Sequence, residues 1–448
     1  MQQDTVRKIV QDVQTGRRTA LQVAETALAT IRDRDPRISA FVAVDEAAVR
    51  RDARAVDEDP GRAGLPLAGV PLAVKDNFDV AGLPTRLGST ATSPVPAARD
   101  DELIDRFRAA GAVVVGKTQL SELAIWPWTE SRLGVTRNPL DASRNAGGST
   151  GGGAAAVATG MAALAVGTDG GGSVRIPAAN LGLVGLKPAP GTLPLPGGAA
   201  AHWYGLTATG LIGRTVDDVE LALAGVTGES HAGPAGPRRL AISLRSPTPI
   251  GRPDLAARTG VAKAARLLAA SGYEVEPVDP PYPRDLIARW GERWLAGIAE
   301  EVGRLGLDPS GLEPRTRGAL RRGRRVEGRR GPTDEAMDGW RDEAARFFET
   351  VDVLVSPTIA KPAPAAGASL RRGFLHAYLD AGRRTPYTEA WNLAGYPAAT
   401  VPLGWFRGAA LSVQLVAPRL APVLEVARRL EAALAGSIPA RVRASEPA

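Results

Sequence analysis

Apolar and polar positions along this chain follow two periods in turn. Behind Thr19, placed as an N-cap, Leu21, Ala24, Ala27 and Ile31 recur at helical spacing, and residues 1–58 read as N-terminal helices. A Pro/Gly-rich stretch, 59–69, leads to a short apolar run, 70–74, that reads as a strand ending on Lys75. A helix over 101–110, a strand over 112–115 and a turn at Gly116-Lys117 follow. Residues 147–185 are dense in glycine and small side chains. They predict a loop, a buried helix (153–163), a strand (165–167), a second loop and a short helix. From Leu240 the alternation resumes, with strand 240–244, helix 253–270 and strand 273–278. Residues 283–350 are polar and mostly helical, a peripheral helical region. A buried strand, 351–356, a proline-rich connection, 357–364, strands at 399–402 and 410–416 and a helix over 422–433 complete the chain. Strands alternating with helices predict an α/β fold, a single α/β/α domain over 1–448 with a large mixed, twisted sheet covered by helices on both faces. No internal repeat or clear linker divides it.

Composition narrows the chemistry. The chain has 448 residues, 44% of them apolar and 23% charged, so it can bury a core that needs no metal or disulfide staple. It has no cysteine, which excludes a thiol nucleophile, a disulfide framework and any Cys-based metal site. Residues 1–15 are polar and mixed in charge, and no secretory signal is read there. The most apolar run, 151–166, is small Ala, Gly and Val rather than a membrane span. A cytoplasmic protein without membrane contact is expected.

The net charge of +7 invites a nucleic-acid reading, because much of the excess lies in Arg315, Arg317, Arg321, Arg322, Arg324, Arg325, Arg329 and Arg330. No aromatic residue is interleaved there, and Gly318, Gly323 and Gly328 interrupt the run. A solvated face is the preferred reading, with no nucleic-acid partner. Only six lysines remain, at 8, 75, 117, 187, 263 and 361, so each retained lysine hints at a specific role.

Two glycine-rich motifs carry candidate chemistry. The first is Gly147-Gly148-Ser149-Thr150-Gly151-Gly152, and the second, Gly167-Thr168-Asp169-Gly170-Gly171-Gly172-Ser173-Val174-Arg175-Ile176-Pro177, places its serine 24 residues after Ser149. A serine that closes a glycine run and opens a helix has an exposed hydroxyl beside free backbone N–H groups, the donors an oxyanion needs. A phosphate or cofactor loop is the rival, although neither segment ends in GK[ST] or sets GxGxxG between strand and helix. Close helix packing by small residues is the third reading.

Activation of such a serine needs a base. His202, His231 and His376 permit a Ser-His-Asp triad by count, but no motif marks one and the GxSxG elbow is absent. His202, beside Trp203 and Tyr204, is a candidate pocket residue. Lys75 ends an apolar strand, where burial would lower its pKa and leave a neutral amine able to accept a proton. A surface lysine at a strand end is the plainer alternative.

These three segments resemble the amidase signature family, whose hallmark is GGSSGG followed by GTDxGGSxRxPA, with a lysine upstream in a V-K-D/E context. The resemblance runs over nearly the whole chain. It takes in Gly116-Lys117-Thr118, Asn138-Pro139, Gly185-Leu186-Lys187-Pro188, residues 353–358 and 392–402, and Gln414-Leu415-Val416. It implies an amidohydrolase with Lys75 as general base, Ser149 as a bridging serine after a cis peptide, and Ser173 as nucleophile. It also implies an oxyanion hole from the N–H groups of Gly170, Gly171, Gly172 and Ser173. Thr150, Asp169 and Arg175 are expected in support, the last two as an ion pair. Neither metal nor organic cofactor is implied. Thr150 stands where a second serine is usual, Gly170 where Thr or Ile is, and Gly153 where serine or alanine is; none removes a member of the catalytic set.

The expected substrate is a small aliphatic, aryl or urea-like amide. Trp126, Trp128, Tyr204, Tyr387 and Trp391 are the aromatic candidates for an acyl pocket, with two or three of them expected to touch substrate. The alternative is the A subunit of a glutamine-dependent, tRNA-directed amidotransferase. That branch carries Arg-Gln-Pro after the nucleophile and Ser-Ser-Leu-Asp-Gln downstream, where this chain has Arg175-Ile176-Pro177 and His202-Trp203-Tyr204-Gly205-Leu206. Allophanate- and biuret-type hydrolases form a third branch, and a homodimer is compatible with all of them.

Overall fold

The computed structural model describes residues 4–231, 236, 238–329 and 331–437, so Arg330 of the arginine run lies outside the described residues. One 11-stranded sheet organises the chain. Its strands in chain order are β1 (Phe41–Ala43), β2 (Pro71–Lys75), β3 (Val113–Thr118), β4 (Leu164–Asp169), β5 (Val184–Lys187) and β6 (Ala208–Gly213), then β7 (Arg239–Ile242), β8 (Glu274–Pro277), β9 (Val353–Ser356), β10 (Ala398–Phe406) and β11 (Ala409–Val416). Across the sheet they run β1-β3-β2-β4-β6-β5-β10-β11-β9-β7-β8. The β3-β2-β4 and β9-β7-β8 neighbours are parallel and the remaining pairs antiparallel, which makes the sheet mixed.

Strand periodicity sets the layers. Successive side chains of a strand point to opposite faces. Val353 and Val355 accordingly join one buried apolar cluster and Leu354 another; Ala399 and Val401 join the first and Ala398 the second. The first cluster holds Ala20–Ile38, Gly151–Thr159, Val216–Thr227 and Leu255–Ala270 against the sheet. The second holds Leu286–Arg304, Pro314–Glu327 and Asp334–Thr350. Both faces are therefore covered by helices.

Local signals placed most elements. Thr19 forms a capping box with Gln22 at the start of Ala20–Ile38, satisfying two backbone donors that the helix leaves open. The turn expected at Gly116-Lys117 is instead strand: β3 continues to Thr118 with a register irregularity opposite Leu72/Ala73. Gly116 has φ +156°, and a Cβ there would lie 2.7 Å from the Ala43 carbonyl oxygen, so the glycine marks a bulge beneath β1. The sequence reading missed β1, which lies inside the segment read as helical, and β5 and β6, two central strands. β6 is Ala-Thr-Gly-Leu-Ile-Gly, whose glycines and short length hide the pattern.

The region 283–350 is less peripheral than its polarity suggests. Trp290 and Trp294 on Leu286–Arg304 are buried, and Trp290 reaches the second-motif loop described below. The arginine run also divides. Arg315 is fully buried, pairing with Glu313 at 2.9 Å and Glu130 at 3.4 Å and donating to the Glu130 carbonyl at 2.6 Å. Arg322 lies over the Phe374 ring at 4.1 Å, whereas Arg321, Arg324, Arg325 and Arg329 are exposed. Among the described residues no helix is long and apolar enough to cross a membrane.

Candidate active site

β2 lies between β3 and β4, and all five of its residues are buried. Its apolar sequence carries Lys75 to the carboxyl end of the strand, out of reach of bulk water. The amine has three uncharged oxygen partners: Ser149 Oγ at 2.8 Å, Thr168 Oγ1 at 3.1 Å and the Thr168 carbonyl at 3.2 Å. Burial lowers its pKa to about 7, against the pull of Asp169 and Glu301 in the other direction. A substantial neutral fraction therefore exists at physiological pH.

Ser149 is buried, and the Gly148–Ser149 peptide bond is cis. Thr129 binds this turn twice, donating from its hydroxyl to the Ser149 carbonyl at 3.3 Å and accepting from the Gly151 N–H at 2.9 Å. The next residue ties the two motifs together: the Thr150 N–H donates to the Ser173 carbonyl at 3.0 Å. The Ser173 side chain borders an adjoining cavity.

The loop from Asp169 to Arg175 is pinned from several sides. The Asp169–Arg175 ion pair is fully buried, with contacts of 2.7 and 2.9 Å. Burial pushes the Asp169 carboxyl up, but Arg175, with Lys187 and the Asn392 amide, holds it well below the usual carboxylate range. Arg175 reaches onward to Gln414 Oε1 at 2.6 Å, Asn392 Oδ1 at 2.5 Å and the Thr388 carbonyl at 3.2 Å. Trp290 Nε1 donates to the Gly170 carbonyl at 2.9 Å, and the Thr388 hydroxyl donates to the Gly171 carbonyl at 2.7 Å. Peptide planes are rigid, so fixing these carbonyls also fixes the N–H groups that follow them. Of the four expected oxyanion donors, Gly172 is already engaged: its N–H donates to Asp169 Oδ1 at 2.7 Å. Those of Gly170, Gly171 and Ser173 have no partner among the described residues.

Ser173 and Gly171 border a cavity of about 110 Å³ whose walls are mainly aromatic and aliphatic. Trp126, expected as a pocket residue, is there. Trp128 packs instead with Ile176, Ala179, Ile359 and Ala363, and Trp391 sits in the second core against Tyr282, Trp340 and Phe348. Tyr387 is buried with its hydroxyl on the Leu244 carbonyl at 2.9 Å, and Tyr204 is half-buried outside the lining. The sequence reading missed Trp290, Trp294, Tyr378 and Glu389, which the fold brings to the cavity from the helices Leu286–Arg304, Phe374–Arg384 and Glu389–Ala394. Apolar helical spacing was the only signal of the three aromatic residues, and it does not distinguish a pocket wall from a core; Glu389 had none. Burial pushes the Glu389 carboxyl up to about 8. Trp203 also lines the cavity, and it explains an unusual residue: a Cβ on Gly170 would lie 2.6 Å from the Trp203 ring. His202 bonds Thr207 Oγ1 at 2.8 Å and lies outside this cavity. No group of three or more His, Asp or Glu among the described residues is arranged to hold a metal ion.

The amidase family profile matches residues 22–422. A relative from Mycobacterium tuberculosis, assigned as the amidase AmiB2, is 40% identical over 438 residues, covering 93% of each chain. A second from the same organism, assigned as amidase AmiA2, is 37% identical and covers 89% of this chain and 86% of its own. Among solved structures, a 6-aminohexanoate cyclic dimer hydrolase superposes with a TM-score of 0.86 at 26% identity, covering 96% of this chain and 97% of its own. A structure described as an amidase gives 0.81 at 29% identity, covering 96% and 99%. The chain belongs to the amidase family, and it is a hydrolase of carbon–nitrogen amide bonds.

Proposed function

We propose that this protein hydrolyses linear carboxylic amides through a serine acyl-enzyme, with Ser173 as nucleophile, Ser149 as bridging proton relay and Lys75 as general base. The observation that carries this reading is the 2.8 Å contact between Lys75 Nζ and Ser149 Oγ, made by a fully buried amine whose hydrogen-bond partners are all uncharged. Neutral Lys75 takes the Ser149 proton as Ser149 takes that of Ser173, and Ser173 Oγ adds to the amide carbonyl. The developing oxyanion is received by the N–H groups of Gly170, Gly171 and Ser173, whose peptide planes are held by bonds to the Asp169, Gly170 and Gly172 carbonyls from Asn392, Trp290 and the Ile176 N–H. The proton then returns through Ser149 to the departing amine, the C–N bond breaks, and water hydrolyses the resulting ester by the same relay. Thr150 ties the two motifs together, and Asp169 and Arg175 brace the second. The apolar cavity beside Ser173 receives the acyl group, with Trp126 in its wall.

Labelling of the purified protein with a fluorophosphonate, followed by intact mass and peptide mapping, tests the assignment. A single adduct on Ser173 is expected, absent in Ser173→Ala and slowed at least a hundredfold in Lys75→Ala. Labelling elsewhere, or labelling indifferent to Lys75, contradicts the relay.

A further inference from the structure

Glu389 is an anomaly in the wall of the proposed acyl cavity. It is the only carboxylic acid among the described residues lining that space, and its companions include Trp126, Trp203, Trp290, Trp294 and Tyr378. The stacked pair Trp290–Trp294, 5.4 Å between ring centroids, continues into Tyr378 at 6.2 Å. No lysine, arginine or histidine of the described residues forms an ion pair with Glu389. Its nearest hydroxyl, Thr388 Oγ1, stands 3.5 Å from Oε2, and the single proton of that hydroxyl is committed to the Gly171 carbonyl at 2.7 Å. The acid is thus half-buried in an aromatic-walled cavity with only the backbone N–H groups of Thr388 and Glu389 as further partners among the described residues, and burial keeps it largely protonated near neutrality until a cation arrives. The cation that acts on it from the core, Arg175, is itself paired to Asp169, and Arg315 over Trp126 at 5.6 Å is paired to Glu130 and Glu313.

A carboxylate among aromatic rings has the chemistry of an ammonium site, because ring faces attract cations and the acid completes the charge pair. We propose that Glu389 makes this site selective for amides whose acyl group carries a primary ammonium, which pairs with the Glu389 carboxylate while Ser173 attacks the carbonyl. The Thr388–Gly171 hydrogen bond ties Glu389 to the loop that ends in Ser173. The ammonium is therefore held close to the reacting carbonyl, as in an amino acid amide or a short ω-amino amide. This rests on Ser173 being the nucleophile.

The test compares kcat/KM for matched amides, from glycinamide through longer ω-amino homologues, against neutral isosteres of each. At the best chain length the wild type is expected to favour the amino member by about tenfold or more, the scale of a charge-assisted hydrogen bond. Glu389→Gln keeps shape but not charge. It should remove that preference, mainly through KM, so that the amino members lose about tenfold more than their neutral isosteres. Labelling of Ser173 together with no amino preference in the wild type would overturn the Glu389 assignment alone. So would a Glu389→Gln variant that slows both substrate sets and labelling equally, the mark of a structural role. A wild type that does not label at Ser173 overturns the nucleophile and this inference together.

Discussion

Lys75 owes its chemistry to where the strand leaves it. An exposed lysine stays protonated until far above neutrality, whereas burial lowers this one to about 7 against the pull of Asp169 and Glu301. Only the neutral amine accepts a proton, so the acylation rate is expected to rise with pH through about 7 and then level off. A pH series of fluorophosphonate labelling measures this directly; a flat profile from pH 6 to 9 would contradict a lysine base of that pKa. The donors that pin the glycine loop act at the same scale. Trp290→Phe keeps an aromatic ring but removes the hydrogen bond to the Gly170 carbonyl, and kcat should fall about tenfold. Both serines and Lys75 were legible in the sequence, because their chemistry depends on short motifs. Trp290 and Glu389 were not, because they reach the cavity from helices more than 100 residues further along.

Elements fix how closely those residues approach one another. Helix Ala20–Ile38 was readable from its periodicity and the N-cap at Thr19, and Thr19→Ala is expected to cost about 1 kcal/mol in chemical denaturation. Strand β3 was readable only in part, since a glycine that looks like a turn serves as a bulge under β1. Gly170 records a tertiary constraint in the same way. Thr or Ile is usual there in the family this chain resembles, but the Trp203 ring occupies the room that such a side chain needs. Gly170→Thr alone should therefore destabilise the protein by about 1–3 kcal/mol. In a Trp203→Ala background the same substitution should cost less, because the ring it meets is gone. A double-mutant cycle by urea unfolding, with coupling near zero, would contradict the contact.

At the scale of the molecule, the buried guanidinium of Arg315 joins Pro314–Glu327 to Glu130. The Glu130 carboxylate in turn accepts the N–H groups of Gly367 and Ser369. Arg315→Leu leaves two buried carboxylates without their cation, and a loss of about 3–5 kcal/mol is expected in urea or thermal unfolding. Arg324→Leu on the exposed side of the same helix should change little. In the sequence these arginines read as one basic run, because linear spacing shows charge but not which residues a helix turns inward. The sequence by itself determined the α/β alternation, the two serine motifs and the strand that ends on Lys75, since each depends on contacts within a few residues. Only the tertiary structure decided that β5 and β6 complete the sheet, that Gly172 spends its N–H on Asp169, and that Trp290, Trp294 and Glu389 rather than Trp128 or Trp391 face Ser173. Those outcomes depend on which surfaces meet when distant segments pack, and hydrophobic periodicity carries no record of the partner.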